Sequence, residues 1–226
     1  MAFSRGPKIV TDGLVLALDA ANPRSYPGSG TTWSDLSGNG NNASLQNGAS
    51  FSTSNGGYIS LDGTDDRIAI TDSNGDFDFG TGNFSINVWL NQGTDTTYPH
   101  LYTLDDQSNF TLKAIRGGLD NAYRLYVYHG YSVIFTNSYL TPGTWQMVTL
   151  TRNGQEHKLY LDGIISDTVT DGSGPKSITG STVYLGWGWS AEYTPQSRGP
   201  VMIYNRLLPA QEVLQNYNAT RSRFGL

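Results

Sequence analysis

The sequence contains no cysteine, which excludes disulfide staples and thiolate metal sites. Glutamate occurs only at 156, 192 and 212, and lysine only at 8, 113, 158 and 176, so the usual helix-surface fillers are scarce. No apolar run is long enough to span a bilayer. The opening MAFSRGPKIV has neither the apolar core nor the cleavage site of a signal peptide. A formal charge of −5 and a pI near 5.0 argue against the basic stripe that a nucleic-acid surface needs. The expectation is a chain made in a cytoplasm, with no membrane and no nucleic acid among its partners.

What is present is turn and strand chemistry. There are 27 glycines and 14 tyrosines, and glycine and asparagine supply the positive φ of tight turns. Segments of period two dominate. In Phe84–Leu90 the residues Phe84, Ile86, Val88 and Leu90 share one face, while Ser85, Asn87 and Trp89 point the other way. Asn153-Gly154 between Trp145–Arg152 and His157–Leu161 is a strong hairpin signal. About a dozen strands at turn intervals of roughly 8–12 residues predict a two-sheet antiparallel sandwich. A single helix is predicted after Pro209, with Val213, Leu214 and Tyr217 as its apolar stripe. With no linker and no repeat, one domain spans 13–218, between an N-terminal arm at 1–12 and a basic C-terminal tail at 219–226.

Catalytic and metal patterns are weak. There is no Gly-x-Ser-x-Gly elbow and no glycine-rich loop followed by Lys-Ser/Thr. His100, His129 and His157 lack metal spacing. The aspartate pairs Asp65-Asp66, Asp76 with Asp78, and Asp105-Asp106 read as turn caps. The stretch TWSDLSGNGNN from Thr32 to Asn42 mimics half a calcium loop, but its twelfth position is Gln46 instead of a bidentate glutamate. It therefore reads as a structural corner, with Trp33 in the core, Asp35 and Ser37 accepting backbone N–H bonds, and Gly38 and Gly40 left-handed. Asp72–Asp78 offers alternating oxygens that suit either a cation or plain turn chemistry. No metal and no cofactor are assigned.

Two regions suit a ligand. The loop from Leu185 to Arg198 holds Trp187 and Trp189 two apart, with Tyr193 and the polar Glu192, Gln196 and Arg198 nearby. Flat aromatics beside planar polar groups suit sugar stacking or a protein interface; the alternative is a cap on one end of the sandwich. Trp187, Trp189, Tyr193 and Arg198 are the candidate ligand-binding residues. A second aromatic-rich region gathers Tyr98, Pro99, His100, Tyr102, Tyr126, Tyr128 and Tyr131. There Arg124, Tyr126 and Tyr128 share the face opposite Tyr123, Leu125 and Val127, either as a contact surface or as a partly covered sheet face.

Trp33–Gly40, Leu61–Asp66, Phe84–Trp89, Gly143–Val148, Leu159–Gly163 and Ile203–Leu208 follow in the order seen in laminin-G-like jelly rolls. The chain resembles that family over nearly its whole length, which implies the concanavalin A-like sandwich of two antiparallel sheets. Glucanases on this sandwich carry Glu-x-Asp-x-x-Glu, and no two of the three glutamates here are close enough to form it. That excludes a glucanase of this type, and with the weak catalytic patterns above the expectation is a non-enzyme. The opening Gly13–Tyr26 and the close, Tyr204–Arg206 with Gln215–Phe224, are similar to stand-alone laminin-G-like proteins in particles of tailed bacteriophages. That likeness implies a structural protein of the virion, in head decoration or tail fibre, with other virion proteins as partners. A host-surface glycan is the alternative partner, and a homo-oligomer stays open. Phe3, Arg5, Arg221, Arg223 and Phe224 then serve as interface residues on docking tails.

Overall fold

The computed structural model describes residues 7–72, 74–94, 98–105, 110–117, 122–129, 132–172, 174, 176–188 and 192–226, with backbone alone at 117 and 132–136. In chain order the first strands are β1 (Leu14–Leu18), β2 (Thr32–Trp33), β3 (Ala43–Gln46), β4 (Ser50–Ser52), β5 (Tyr58–Asp62) and β6 (Arg67–Thr71). Next come β7 (Phe84–Gln92), β8 (His100–Leu104), β9 (Phe110–Gly117), β10 (Ala122–His129), β11 (Ser132–Leu140) and β12 (Trp145–Asn153). The rest are β13 (Glu156–Leu161), β14 (Ile164–Thr170), β15 (Thr182–Leu185), β16 (Trp187–Gly188), β17 (Glu192–Tyr193) and β18 (Pro195–Tyr204), followed by helix α1 (Ala210–Thr220).

Two eight-stranded antiparallel sheets face each other, as the period-two pattern predicts. The first runs β14-β13-β12-β7-β18-β5-β4, with β1 added beside β18. The second runs β11-β10-β9-β8-β15-β6-β3-β2. Phe84, Ile86, Val88 and Leu90 of β7 meet Leu112, Ala114, Leu125 and Val127 of the second sheet in one buried core. Each such side chain contributes about 2–3 kcal/mol by leaving water.

Trp89 faces the other way, as its position in β7 predicts. A second apolar cluster of Trp89, Met147, Tyr160, Met202, Tyr204, Leu208 and Val213 fills the space between the first sheet and α1. Pro209 stands as the N-cap of α1, one position before its first turn. Val213 is buried, whereas Leu214 of the predicted stripe is 43% exposed.

The ends of the chain are spent on this face. Val10 N–H donates to Asn216 Oδ1 and the Tyr204 hydroxyl donates to the Val10 carbonyl, both at 2.9 Å or less. Residues 219–226 are not a free tail: α1 runs to Thr220 and a 3-10 turn follows at Arg221–Phe224. The Phe224 ring stacks on Trp89 and on Trp145, each with centroids 4.4 Å apart. Arg223 pairs with Asp19 at 2.6 Å.

The TWSDLSGNGNN stretch is a corner. Asp35 accepts the backbone N–H groups of Ala17, Ser37 and Asn41, which ties β1 to the loop. Trp33 is fully buried, and Gly38 and Gly40 have φ of 98° and 82°. The Asp72 loop follows the same logic: its carboxylate accepts the N–H groups of Asn74, Asp76 and Phe77.

Candidate functional site

The outer face of the second sheet, turned away from the core, carries two polar and aromatic rows. Cross-strand pairing aligns Tyr126, Lys113 and His100 in one row. It aligns Tyr128, Thr111, Thr103, Tyr184 and Ala69 in the next. Arg67 lies two residues before Ala69 on β6 and so shares this face, opposite Gln46.

The β16–β17 hairpin folds over these rows. Trp187 pairs with Tyr193, and Gly188 with Glu192. Glycine is required at 188 because a Cβ there would lie 2.0 Å from Cε1 of His100. The hairpin is anchored on that histidine. Gly186 N–H donates to the His100 carbonyl at 3.2 Å, and Thr194 Oγ1 accepts the His100 N–H at the same distance. The Glu192 carboxylate only accepts, so His100 Nε2 carries the proton it receives at 2.7 Å, and Nδ1 lies 3.3 Å from Thr103 Oγ1. Burial holds the imidazole pKa below its ordinary value, against the pull of Glu192.

Lys113 stands 4.0 Å from Glu192 and over the rings of Tyr98 and Tyr126, and burial lowers its pKa. Burial likewise raises the Tyr126 hydroxyl. On the other side of the hairpin, Arg67 lies 5.5 Å from the Tyr184 ring centroid and 5.2 Å from that of Trp187. Tyr184, Trp187, Glu192 and Tyr193 are each partly buried, so none is shut off from solvent.

The fold thus joins the two aromatic regions that the sequence shows apart. Trp187 and Tyr193 sit on the site; Trp189 and Tyr131 lie outside the described residues. Arg198 does not reach the surface, contrary to expectation. It belongs to β18 and is fully buried, where Nη2 donates to the His100 carbonyl at 2.6 Å, and burial pulls its pKa down to about 9. Of the interface candidates, Phe3 and Arg5 lie outside the described residues. Arg223 and Phe224 are engaged by the chain itself, and Arg221 is exposed with its guanidinium over the Tyr217 ring. Arg67, Lys113 and Tyr184 were not singled out from sequence; each is the one cation or aromatic among the outward positions of β6, β9 and β15.

Acidic groups do converge at one place. Oxygens of Asp62, Asp65 and Asp66 lie within 4.8 Å of one another in the β5–β6 turn. Asp62 accepts the Thr64 N–H, and Asp66 accepts the Asp62 N–H, so both brace the turn. The three glutamates are separate: Glu156 meets Lys158, Glu212 meets Arg206 and Glu192 meets His100. No two of them form a glycosidase pair. His129 and His157, apart in sequence, stack with centroids 5.5 Å apart beside Asp171.

The fold is shared with solved binding domains. The binding domain of Paraclostridial Mosquitocidal Protein 1 is similar with a TM-score of 0.71 at 18% identity, over 92% of this chain and 52% of that one. Botulinum neurotoxin type C, whose cell entry depends on interaction with two ganglioside molecules, is similar with a TM-score of 0.72 at 15% identity, over 93% and 52%. The chain therefore spans about half the length of these toxin structures. Domain 4 of AbnA, a GH43 extracellular arabinanase from Geobacillus stearothermophilus solved in complex with arabinotriose, is similar over its whole length and 94% of this chain, with a TM-score of 0.70 at 14% identity. No curated protein matches the sequence. Residues 62–214 match the family model Laminin_G_3, and this chain belongs to that family, the concanavalin A-like lectin/glucanases superfamily.

Proposed function

We propose that the protein is a non-enzymatic binding module whose ligand is a glycan, held on the outer face of the second sheet around Trp187 and Tyr193. The observation that carries this reading is their cross-strand pairing on a hairpin clamped to His100 through Glu192, with both aromatic residues partly exposed. A sugar ring stacks its C–H face on such an aromatic while its hydroxyls meet planar polar groups. Similarity to a domain solved with arabinotriose supports the ligand class. Among the described residues the site holds Glu192 and a neutral His100 joined to each other, which suits holding a ligand better than cleaving one.

A glycan array tests the reading. Wild-type protein retains a defined subset of glycans, and Trp187→Ala or Tyr193→Ala releases that subset while the thermal melt stays within a few degrees. An array on which wild type and both variants behave alike contradicts it.

A second reading, a structural component of a tailed-bacteriophage particle, is favoured by the two segments that carry the phage resemblance. They pack on one another: β1 pairs with β18, and Arg223 reaches Asp19. In a virion the glycan would belong to the host surface and the protein neighbours would be other particle components. Mass spectrometry of purified particles checks this reading, which predicts the chain among the particle proteins.

A further inference from the structure

The second sheet has an unusual charge distribution. Its eight strands contain no aspartate or glutamate, yet they carry Arg67, Lys113, Arg116 and Arg124, in a chain of net charge −5. The carboxylate on the hairpin above it, Glu192, is taken up by His100. Arg67 is held between neighbours. Its Nε donates to Gln46 Oε1 at 2.6 Å, and its guanidinium lies over Tyr184 and Trp187. Among the described residues no carboxylate lies within 4.0 Å of it, whereas Arg206 meets two and Arg223 one. With Nε bonded and the guanidinium beside two rings, the terminal Nη groups are the donors left to meet a ligand, and their edge fits a carboxylate in a bidentate manner.

Resting on the glycan reading above, we infer that this face selects an acidic sugar, whose ring stacks at Trp187 while its carboxylate meets the Nη edge of Arg67. The shared chemistry is a sugar carboxylate, from a uronic acid within a polymer or from a terminal sialic acid. Arginine restrained by ring stacking loses little freedom when it binds.

The test uses the full chain and two pairs of probes: oligouronates with their carboxyl-reduced counterparts, and a sialylated oligosaccharide with its desialylated form. Acidic members of the responding pair bind at least about tenfold tighter than the neutral ones. Arg67→Gln removes that difference and Arg67→Lys restores part of it; the pair that responds identifies the source. Should Arg67→Gln melt early, the wild type decides: added salt weakens the acidic probes and leaves the neutral ones unchanged. Equal affinity for acidic and neutral members, still lost in Trp187→Ala, overturns the carboxylate inference and preserves the glycan reading. Binding of no probe and no array glycan overturns both.

Discussion

His100 Nε2 donates to Glu192 Oε2 at 2.7 Å across 92 positions of sequence, and this bond fastens the β16–β17 hairpin to the middle of a sheet. The histidine is fully buried while the glutamate side chain is 32% exposed. The pair therefore links the inner scaffold to the proposed ligand surface.

Breaking that link separates binding from folding. Glu192→Ala leaves the imidazole donor without its partner at a stability cost of about 1–2 kcal/mol. It also frees the hairpin, so glycan affinity falls at least about tenfold. Calorimetric titration alongside a thermal melt reads both effects.

Gly188→Ala is more damaging to the site than its size suggests. The new methyl would lie 2.0 Å from His100 Cε1, and the hairpin must lift to admit it. Overpacking of this kind costs about 1–3 kcal/mol. Binding is expected to fail while the circular dichroism spectrum keeps its β signature.

Acid should loosen the fold through the buried imidazoles. His157 falls from 6.5 to about 4, first because of burial and then because of His129; His129 itself is lowered by burial, against the pull of Asp171. Arg152 and Lys176 also oppose protonation there. A base whose folded pKa is depressed binds more protons when unfolded, so stability is full above pH 6.5 and falls as the pH drops toward 4. For His157 the loss is about 3 kcal/mol. Urea unfolding across this range shows the decline, and His157→Gln flattens it.

Phe224→Ala probes the docked C-terminus. The ring is sandwiched against Trp89 and Trp145, and its removal costs about 2–3 kcal/mol with a change in tryptophan fluorescence. A free tail would give no change in either.

Much of this architecture was legible in the chain. Period two placed Phe84 and Ile86 inward and Trp89 outward, because a strand's side alternation is local. Asp35 and the corner glycines were legible because turn chemistry is local too. Arg198 was misplaced because a short polar run after a loop looks exposed, whereas β18 continues through it with a register shift between Arg198 and Val201. The C-terminal basic residues looked like a tail because nothing nearby in sequence announces the Trp89 and Trp145 rings. The candidate site was visible only as two fragments. Joining them required β15 to insert between β8 and β6, a long-range pairing that no local pattern encodes.

The central claim is that ligand meets the Trp187 hairpin. The chain has five tryptophans, whose indole N–H signals can be followed in nitrogen-labelled protein during titration with an array-positive oligosaccharide. The Trp187 signal should shift progressively to saturation, while those of buried Trp33 and Trp89 stay fixed. Shifts confined to Trp89 and Trp145, on the α1 side of the sandwich, would place the ligand on the opposite face and contradict the account.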